Sequence, residues 1–377
     1  MFLVFDEHRQ YLADRPRVEA FELALREIVR PGDVVLDLAA GTGILSFLAC
    51  RAGAARVYAI ESTSLVEEGR AVAAANGLAD RVRFVREWSR FATLPEPVDV
   101  IVTDQIGQIG FDGGLIEYVA DTRQRLLKPG GRIVPQRLEL QAAPVADPDV
   151  RKAIDFWNEP IRGFDYSAIY DRAACSGHPR HVSKEQLLAP ATSVVTIDLA
   201  TEEDDPIRGR VEFVLDRAAA VDGVGMWFSA TMSPTVVMTN DPRAPNRINR
   251  RQVVLPIAPA IQAARGDRVE FVFAARAIVV DWRITVYSGT DGRLLGSDHR
   301  STFGGMLLSR EDLEMTAPQR VPVLTPAGLA RRTVMELCDG RSIEAIERGV
   351  RDRHPELLPT TAVASAFVAE VLKVYAR

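Results

Sequence analysis

The chain has 377 residues, 47% of them hydrophobic and 26% charged, which is the balance of a folded globular protein and excludes a disordered one. Lys and Arg number 46 against 51 Asp and Glu, so the net charge of -5 leaves no basic footprint for nucleic acid. No apolar run reaches the roughly 18 to 20 residues that a membrane span requires, and Met1 to Phe5, followed at once by Asp6 and Glu7, is too short for a secretion signal, so a cytoplasmic location is expected.

At this length two or three domains are expected. Residues 6–30 carry helical spacing, with Tyr11, Val18, Phe21, Leu25 and Ile28 among the apolar positions, and Pro16 divides them into two helices. From residue 33 the pattern changes. Val34–Leu38 reads as a strand, followed by a glycine turn, a helix from Ile44 to about Arg51, a strand Arg56–Glu61, a helix Ser64–Asn76 and a strand Val82–Val85. Val98–Thr103 is a fourth strand, Ile116–Leu127 a helix and Gly131–Pro135 a fifth strand. This alternation predicts an α/β unit, a Rossmann-like doubly wound parallel sheet with helices on both faces, over residues 1–136 including the N-terminal helices. After Pro135 the rhythm is lost. Leu138–Ala142, Val194–Leu199, Arg210–Val214, Gly225–Thr231, Arg268–Phe273 and Trp282–Tyr287 are β-rich and separated by Gly, Pro and Asp turns, which predicts an antiparallel sheet or β-barrel domain over 137–308. Pro326–Cys338, Ile343–Arg351 and Thr361–Tyr375 then predict a small helical domain over 315–377. Cys50, Cys175 and Cys338 are far apart and odd in number, which reads as free thiols and gives neither a disulfide framework nor a metal site.

The chemistry sits at the first strand's end. Asp37-Leu38-Ala39-Ala40-Gly41-Thr42-Gly43 lies between a strand and a helix, where small residues let a ligand approach the backbone in the crevice beyond the strands. Ser46 stands where a dinucleotide fingerprint has its third glycine, and an acid precedes the turn. Both features suit S-adenosylmethionine (SAM), which has a cationic sulfonium and a ribose but no pyrophosphate. Glu61, followed by Ser62, ends the second strand, where a carboxylate can accept both ribose hydroxyls. Asp37 also has the simpler reading of a helix-capping or turn acid, and Glu61 that of an exposed strand-end acid.

The run VLDLAAGTGILSFLACRAGAARVYAIE resembles the cofactor segment of the protein arginine methyltransferases. Upstream, His8, Tyr11, Leu12, Asp14, Arg17 and Phe21 fall at the spacing of that family's N-terminal helix motif, with Tyr11 and Phe21 replacing its usual Met and Tyr. Ile133-Val134-Pro135 resembles the exit from its Rossmann-like domain, Gly163–Ser167 the start of its arm, and Asp281-Trp282 stands for its Thr-His-Trp loop. The resemblance implies that Arg17 pairs with the methionine carboxylate of SAM, a contact suited to a guanidinium fork. It places His8 near the same pocket or leaves it a surface residue, and puts Trp88 and Ser89 beside the adenine, with Trp88 either stacking on it or belonging to the core. It further implies a homodimer formed by an arm within residues 155–185.

The family's catalytic loop carries two glutamates that hold a guanidinium plane by its paired donors. Here the loop reads Thr103-Asp104-Gln105-Ile106-Gly107-Gln108-Ile109-Gly110-Phe111-Asp112-Gly113-Gly114-Leu115. Asp104 replaces the first glutamate, Gly113 falls at the second, and Asp112 lies beside it. Asp104, Asp112 and Asp281 are the candidate catalytic acids, able together to neutralise a guanidinium or amine. Asp112 and Asp281 also read as turn acids. The expected activity is SAM-dependent N-methylation of an arginine-containing peptide or a small guanidino or amine compound. The alternatives are methylation of another amine, hydroxyl or carboxylate, and a non-catalytic peptide-binding protein. Leu324–Ala330 with Met335–Ile346 resembles the PqqD-like domains, which implies a winged-helix-like form and leader-peptide binding in natural-product biosynthesis. A helical cap or dimer contact is the competing reading.

Overall fold

A computed structural model describes residues 4–203, 206–276, 279–307, 319, 321–338 and 340–376. They fall into two compact units, 1–306 and 307–377. The first begins with helices α1 (Val4–Ala13) and α2 (Arg15–Ile28). They part at Asp14, and Pro16 opens α2, where a residue without an N–H costs nothing. One face of α2 buries Ala20, Phe21, Ala24, Leu25 and Ile28, the stripe that its spacing predicts.

Strands β1 (Val34–Leu38), β2 (Arg56–Glu61), β3 (Val82–Arg86), β4 (Val98–Thr103) and β5 (Leu127–Val134) form one parallel sheet in the order β3-β2-β1-β4-β5. Helices α3 (Ile44–Ala52), α4 (Leu65–Ala75) and α5 (Leu115–Leu126) connect the strands. All five residues of β1 are buried, as expected of a strand covered on both faces. The connections reverse direction between β1 and β4, so a crevice opens at their carboxyl ends, beside Leu38 and Thr103.

The remaining strands are antiparallel. They are β6 (Arg137–Val145), β7 (His178–Arg180), β8 (Thr192–Asp198), β9 (Ile207–Val214), β10 (Ala219–Thr231), β11 (Val237–Thr239), β12 (Gln252–Ala263), β13 (Arg268–Arg276), β14 (Val279–Tyr287) and β15 (Leu294–Ser301). Their order is β7-β12-β10-β6-β8, with β11 on β10, in one sheet and β15-β14-β13-β9 in the other. Among the described residues the expected antiparallel sheet or barrel is two sheets. They touch where β8 meets β9 and where β12 meets β15, but no strand ladder joins them. At Gly209 an added Cβ would strike Val194, so side chains of ordinary size have no room at that corner. One continuous apolar cluster runs from Ala20 and Leu36 through Val134, Leu140 and Phe228 to Phe273 and Trp282, so both sheet systems share a core. Short helices α6 (Pro148–Asp155), α7 (Tyr170–Ala174) and α8 (Thr302–Gly305) decorate this region.

The second unit has three helices, α9 (Pro326–Leu337), α10 (Ile343–Arg353) and α11 (Thr361–Tyr375). Thr325, Ser342 and Thr360 each accept a backbone N–H at a helix start, which sets the three boundaries. Ala330, Val334, Ile346, Val350, Val368 and Val371 build a separate small core. Among the described residues of this unit there is no strand to serve as a wing. Asp339, in the PqqD-like turn, and most of 308–320 lie outside the described residues. No described helix is long and apolar enough to cross a membrane.

Candidate active site

The crevice at the strand ends holds a cavity of about 160 Å³, smaller than most small-molecule sites. Leu38, Ala39, Ile60, Glu61, Ser62, Glu87, Trp88, Ser89, Gln105 and Tyr118 line it. Four of the sequence-derived cofactor residues, Glu61, Ser62, Trp88 and Ser89, therefore meet on one wall. The turn beneath is strained: Ala39 holds φ at 60°, a region that residues with a Cβ rarely enter. Gly41 follows at φ +54°, and its amide donates to Glu61 Oε2 at 3.1 Å, while Thr63 N donates to Oε1 at 2.8 Å. The Glu61 carboxylate is fixed in this way and still faces the cleft, with 8% of the residue exposed. Trp88 is 60% exposed, so it is no core residue and presents an aromatic face to the opening.

His8 does not line the cleft. It closes over the turn from α1: a Cβ on Gly41 would lie 2.7 Å from His8 Cε1, so glycine alone allows the helix to settle there. Gly43, at φ +91°, starts α3 with Phe47 and Phe84 against its bare face.

Asp37 is placed differently from the cofactor role read for it. Its carboxylate is fully buried and turned to α3, where Oδ2 accepts Ser46 N at 2.9 Å and Ser46 Oγ at 2.6 Å, so it acts as a helix-start acid. Burial pushes its pKa up from 3.8 to about 7, against the pull of the Ser46 hydrogen bonds. An unfolded chain ionises this carboxyl near 3.8 while the fold keeps the proton, so Asp37 makes stability fall as pH rises from there to about 7. The full cost is on the order of 4 kcal/mol. An Asp37→Asn variant, which cannot ionise, is expected to gain stability relative to wild type between about pH 4.5 and about pH 7.5. Urea unfolding at the two pH values measures it, and a constant difference contradicts it.

Beside the cleft lies a second, buried cluster. Asp104, at the end of β4, pairs with Arg17 from α2; the two side chains are only 10% and 13% exposed. Arg250 Nη2 approaches Asp104 Oδ1 to 3.8 Å from the segment before β12, and its Nη1 donates to Gly107 O at 2.8 Å. Tyr11 carries the Arg17 guanidinium over its ring at 4.4 Å. Burial and the neighbouring Arg250 hold Arg17 down at about 10, still a cation at neutral pH. In this state Arg17 is thus directed at Asp104. Sequence reading missed Arg250, since nothing in Arg247-Ile248-Asn249-Arg250-Arg251 distinguishes the buried arginine.

The other two candidate acids do not join Asp104. Asp112 is an exposed turn acid whose Oδ1 accepts Gln108 N at 2.7 Å and Ile109 N at 2.9 Å, closing the loop on itself. Asp281 lies within β14, where Val280, Trp282 and Ile284 are buried and Asp281 and Arg283 are not. Strand alternation therefore puts it on the face away from the core. The segment that reaches the Asp104 loop is instead 248–250: Asn249 N donates to Asp14 Oδ2 at 2.8 Å, one residue from Arg250. Asp281-Trp282 is thus the wrong counterpart for the Thr-His-Trp loop. Gly113 has a physical reason as well. A Cβ there would collide with Gln105 O and sit 3.1 Å from Gly107 N, so this loop path excludes a glutamate.

The loops on the cleft's far wall are tied to α5. Arg125 Nη1 and Nη2 donate to Ala92 O at 3.0 Å and Ser89 O at 2.7 Å, and Arg90 pairs with Glu117. Across the site, Asn240 Nδ2 donates to Gln108 O at 2.8 Å, and Glu27 accepts Ser233 Oγ at 2.7 Å. The N-terminal helices, the β4 loop and the antiparallel sheet are thereby locked around one place.

A doubly wound sheet with a carboxylate at the second strand tip, beside a strained glycine turn, fits SAM, and the chain is a SAM-dependent methyltransferase. Its residues 136–280 match the arginine methyltransferase oligomerization subdomain, and residues 22–138 match the ribosomal protein L11 methyltransferase (PrmA) family. Protein arginine N-methyltransferase 6 of Xenopus laevis is 30% identical over 62% of this chain and 73% of its own, and its Xenopus tropicalis counterpart 33% identical over 59% and 69%. The probable protein arginine N-methyltransferase 6 of Arabidopsis thaliana is 33% identical over 60% of this chain, which spans 54% of that relative's length. The PRMT1 enzyme-prozyme heterotetramer of Trypanosoma brucei, solved with AdoHcy, superposes with a TM-score of 0.71 at 20% identity, over 78% of this chain and 97% of that one. The chain belongs to the protein arginine N-methyltransferase family.

Proposed function

We propose that the protein transfers a methyl group from SAM to a guanidino or other cationic nitrogen of an arginine-containing peptide or small molecule, in the cytoplasm. The observation that carries this is Asp104, a buried carboxylate one residue from Gln105 of the cofactor cleft, in a cluster that already holds guanidinium groups. SAM supplies a methyl group made electrophilic by its sulfonium; the chain's residues supply position and a proton acceptor. Glu61 holds the ribose, Trp88 and Ser89 flank the base, and Arg17 meets the methionine carboxylate. Asp104 then orients the acceptor nitrogen and takes its proton during or after attack. The relatives named as arginine N-methyltransferases support the guanidinium acceptor. Methylation of an uncharged amine, a hydroxyl or a carboxylate is the second reading, favoured by the loop path that excludes a glutamate at Gly113. Labelled SAM offered with arginine peptides, free arginine, amines, hydroxyl and carboxyl acceptors decides the matter. Label on guanidino nitrogen supports the proposal, and label confined to oxygen acceptors overturns it.

The same proposal includes a homodimer. The segment following α6 exposes Phe156 (48%), Phe164 (69%) and Tyr166 (39%), with Trp157 packed edge-on to Phe156 at 5.3 Å. An apolar projection of this kind is costly to leave in water and fits a second copy. A Phe156→Glu, Phe164→Glu double variant is expected to sediment as a monomer where wild type sediments as a dimer; equal sedimentation of the two speaks against the arm. The reading of unit 307–377 as a leader-peptide holder in specialised metabolism is supported by the Leu324–Ala330 and Met335–Ile346 segments.

A further inference from the structure

The buried guanidinium of Arg250 has no part in the mechanism above, yet it lies where that mechanism needs the acceptor. Its side chain is 14% exposed, with one carboxylate against it and two more, Asp14 and Asp112, near enough for their charges to act on it. Asp104 faces it at 3.8 Å. Asp112 caps the Gln108 amide next to Gly107, whose carbonyl accepts Arg250 Nη1. Asp14 accepts the N–H of Asn249, the preceding residue. The Tyr11 ring lies 6.0 Å from its Cζ. Carboxylates on several sides and an aromatic face are what a guanidinium-binding site consists of.

The hold on Arg250 is loose. Among the described residues its guanidinium donates one hydrogen bond, to a neutral carbonyl, and its approach to Asp104 is longer than a hydrogen bond. Asp104 is meanwhile shared with Arg17. A long, flexible side chain held by one neutral bond is displaceable by a guanidinium that forms charged bonds to the same carboxylate.

We propose that Arg250 is a resident occupant of the acceptor subsite, an internal guanidinium that an incoming arginine side chain must displace, and so a determinant of acceptor selectivity. The inference rests on the guanidinium-acceptor reading of the same site. Its consequence is quantitative: if the open arrangement is only a fraction of the population, apparent acceptor affinity falls by that fraction.

The test uses the full chain with S-adenosylhomocysteine present and N-ethylguanidinium as probe, measured by calorimetry, so that no turnover is needed. Arg250→Ala is expected to bind the probe at least about tenfold more tightly than wild type. Arg250→Gln, which keeps a donor for Gly107 O without the charge, is expected to do the same and guards against a folding defect in the first variant. With an arginine peptide and SAM, both variants are expected to lower KM while kcat stays within about twofold of wild type. Unchanged or weaker probe binding in folded Arg250→Gln overturns the proposal. Tighter probe binding without methylation of any arginine peptide leaves Arg250 as the occupant and removes the guanidinium acceptor from the proposed function.

Discussion

Glu61→Gln is expected to weaken SAM binding by roughly 10- to 100-fold, the loss of charge-assisted hydrogen bonds worth about 1.5 to 3 kcal/mol. The carboxylate is pre-aimed, because Gly41 N and Thr63 N hold one oxygen each and leave the remaining lone pairs toward the cleft. Glutamine keeps one acceptor oxygen and the side-chain volume, so thermal stability is expected to change far less than affinity. Calorimetry with SAM and with its demethylated product measures the effect. Wild-type affinity for both in the variant shows that the ribose is held elsewhere.

The second large effect falls on Asp104. Asp104→Asn is expected to lower kcat by about 10²- to 10⁴-fold, the range for removing a positioned proton acceptor. The substitution also withdraws the carboxylate that pairs with the buried Arg17, so some stability goes with it, and SAM affinity must be measured alongside turnover. Asparagine rather than alanine is the informative change, because its carbonyl still accepts hydrogen bonds in a site only 10% exposed. Turnover within threefold of wild type, on an acceptor that wild type methylates, rules Asp104 out as the acceptor of the proton.

Most of the parallel sheet was readable nearly residue by residue, since β1, β2 and β4 begin and end where the apolar runs do, while β5 begins at Leu127, four residues before the Gly131 start that the sequence suggests. Strands buried on both faces are continuous apolar runs closed by glycine turns, a signal that needs no partner. β12 was not readable. Its Pro256 and Pro259 look like turn residues, yet the strand continues through them, with Pro256 opposite Gly223 beside a break in register. The site divides in the same way. Glu61 and Asp104 are announced by strand ends, and Asp37 also, although its carboxylate turns to the helix start and away from the ligand. Arg250 meets partners 143 and 146 positions away in the chain, Gly107 and Asp104, and no local pattern encodes such a meeting. Asp281 misled because a neighbouring tryptophan suggested a motif, while alternation in β14 decided which face it took.

The clamp from α5 to the loop bearing Trp88 and Ser89 links two events that chemistry treats as separate. The Asp104 loop runs directly into the helix whose Arg125 and Glu117 hold residues 89–92, so any shift on filling one chamber is felt in the other. Such a linkage is reciprocal: whatever energy the acceptor adds to nucleoside retention, the nucleoside returns to acceptor retention.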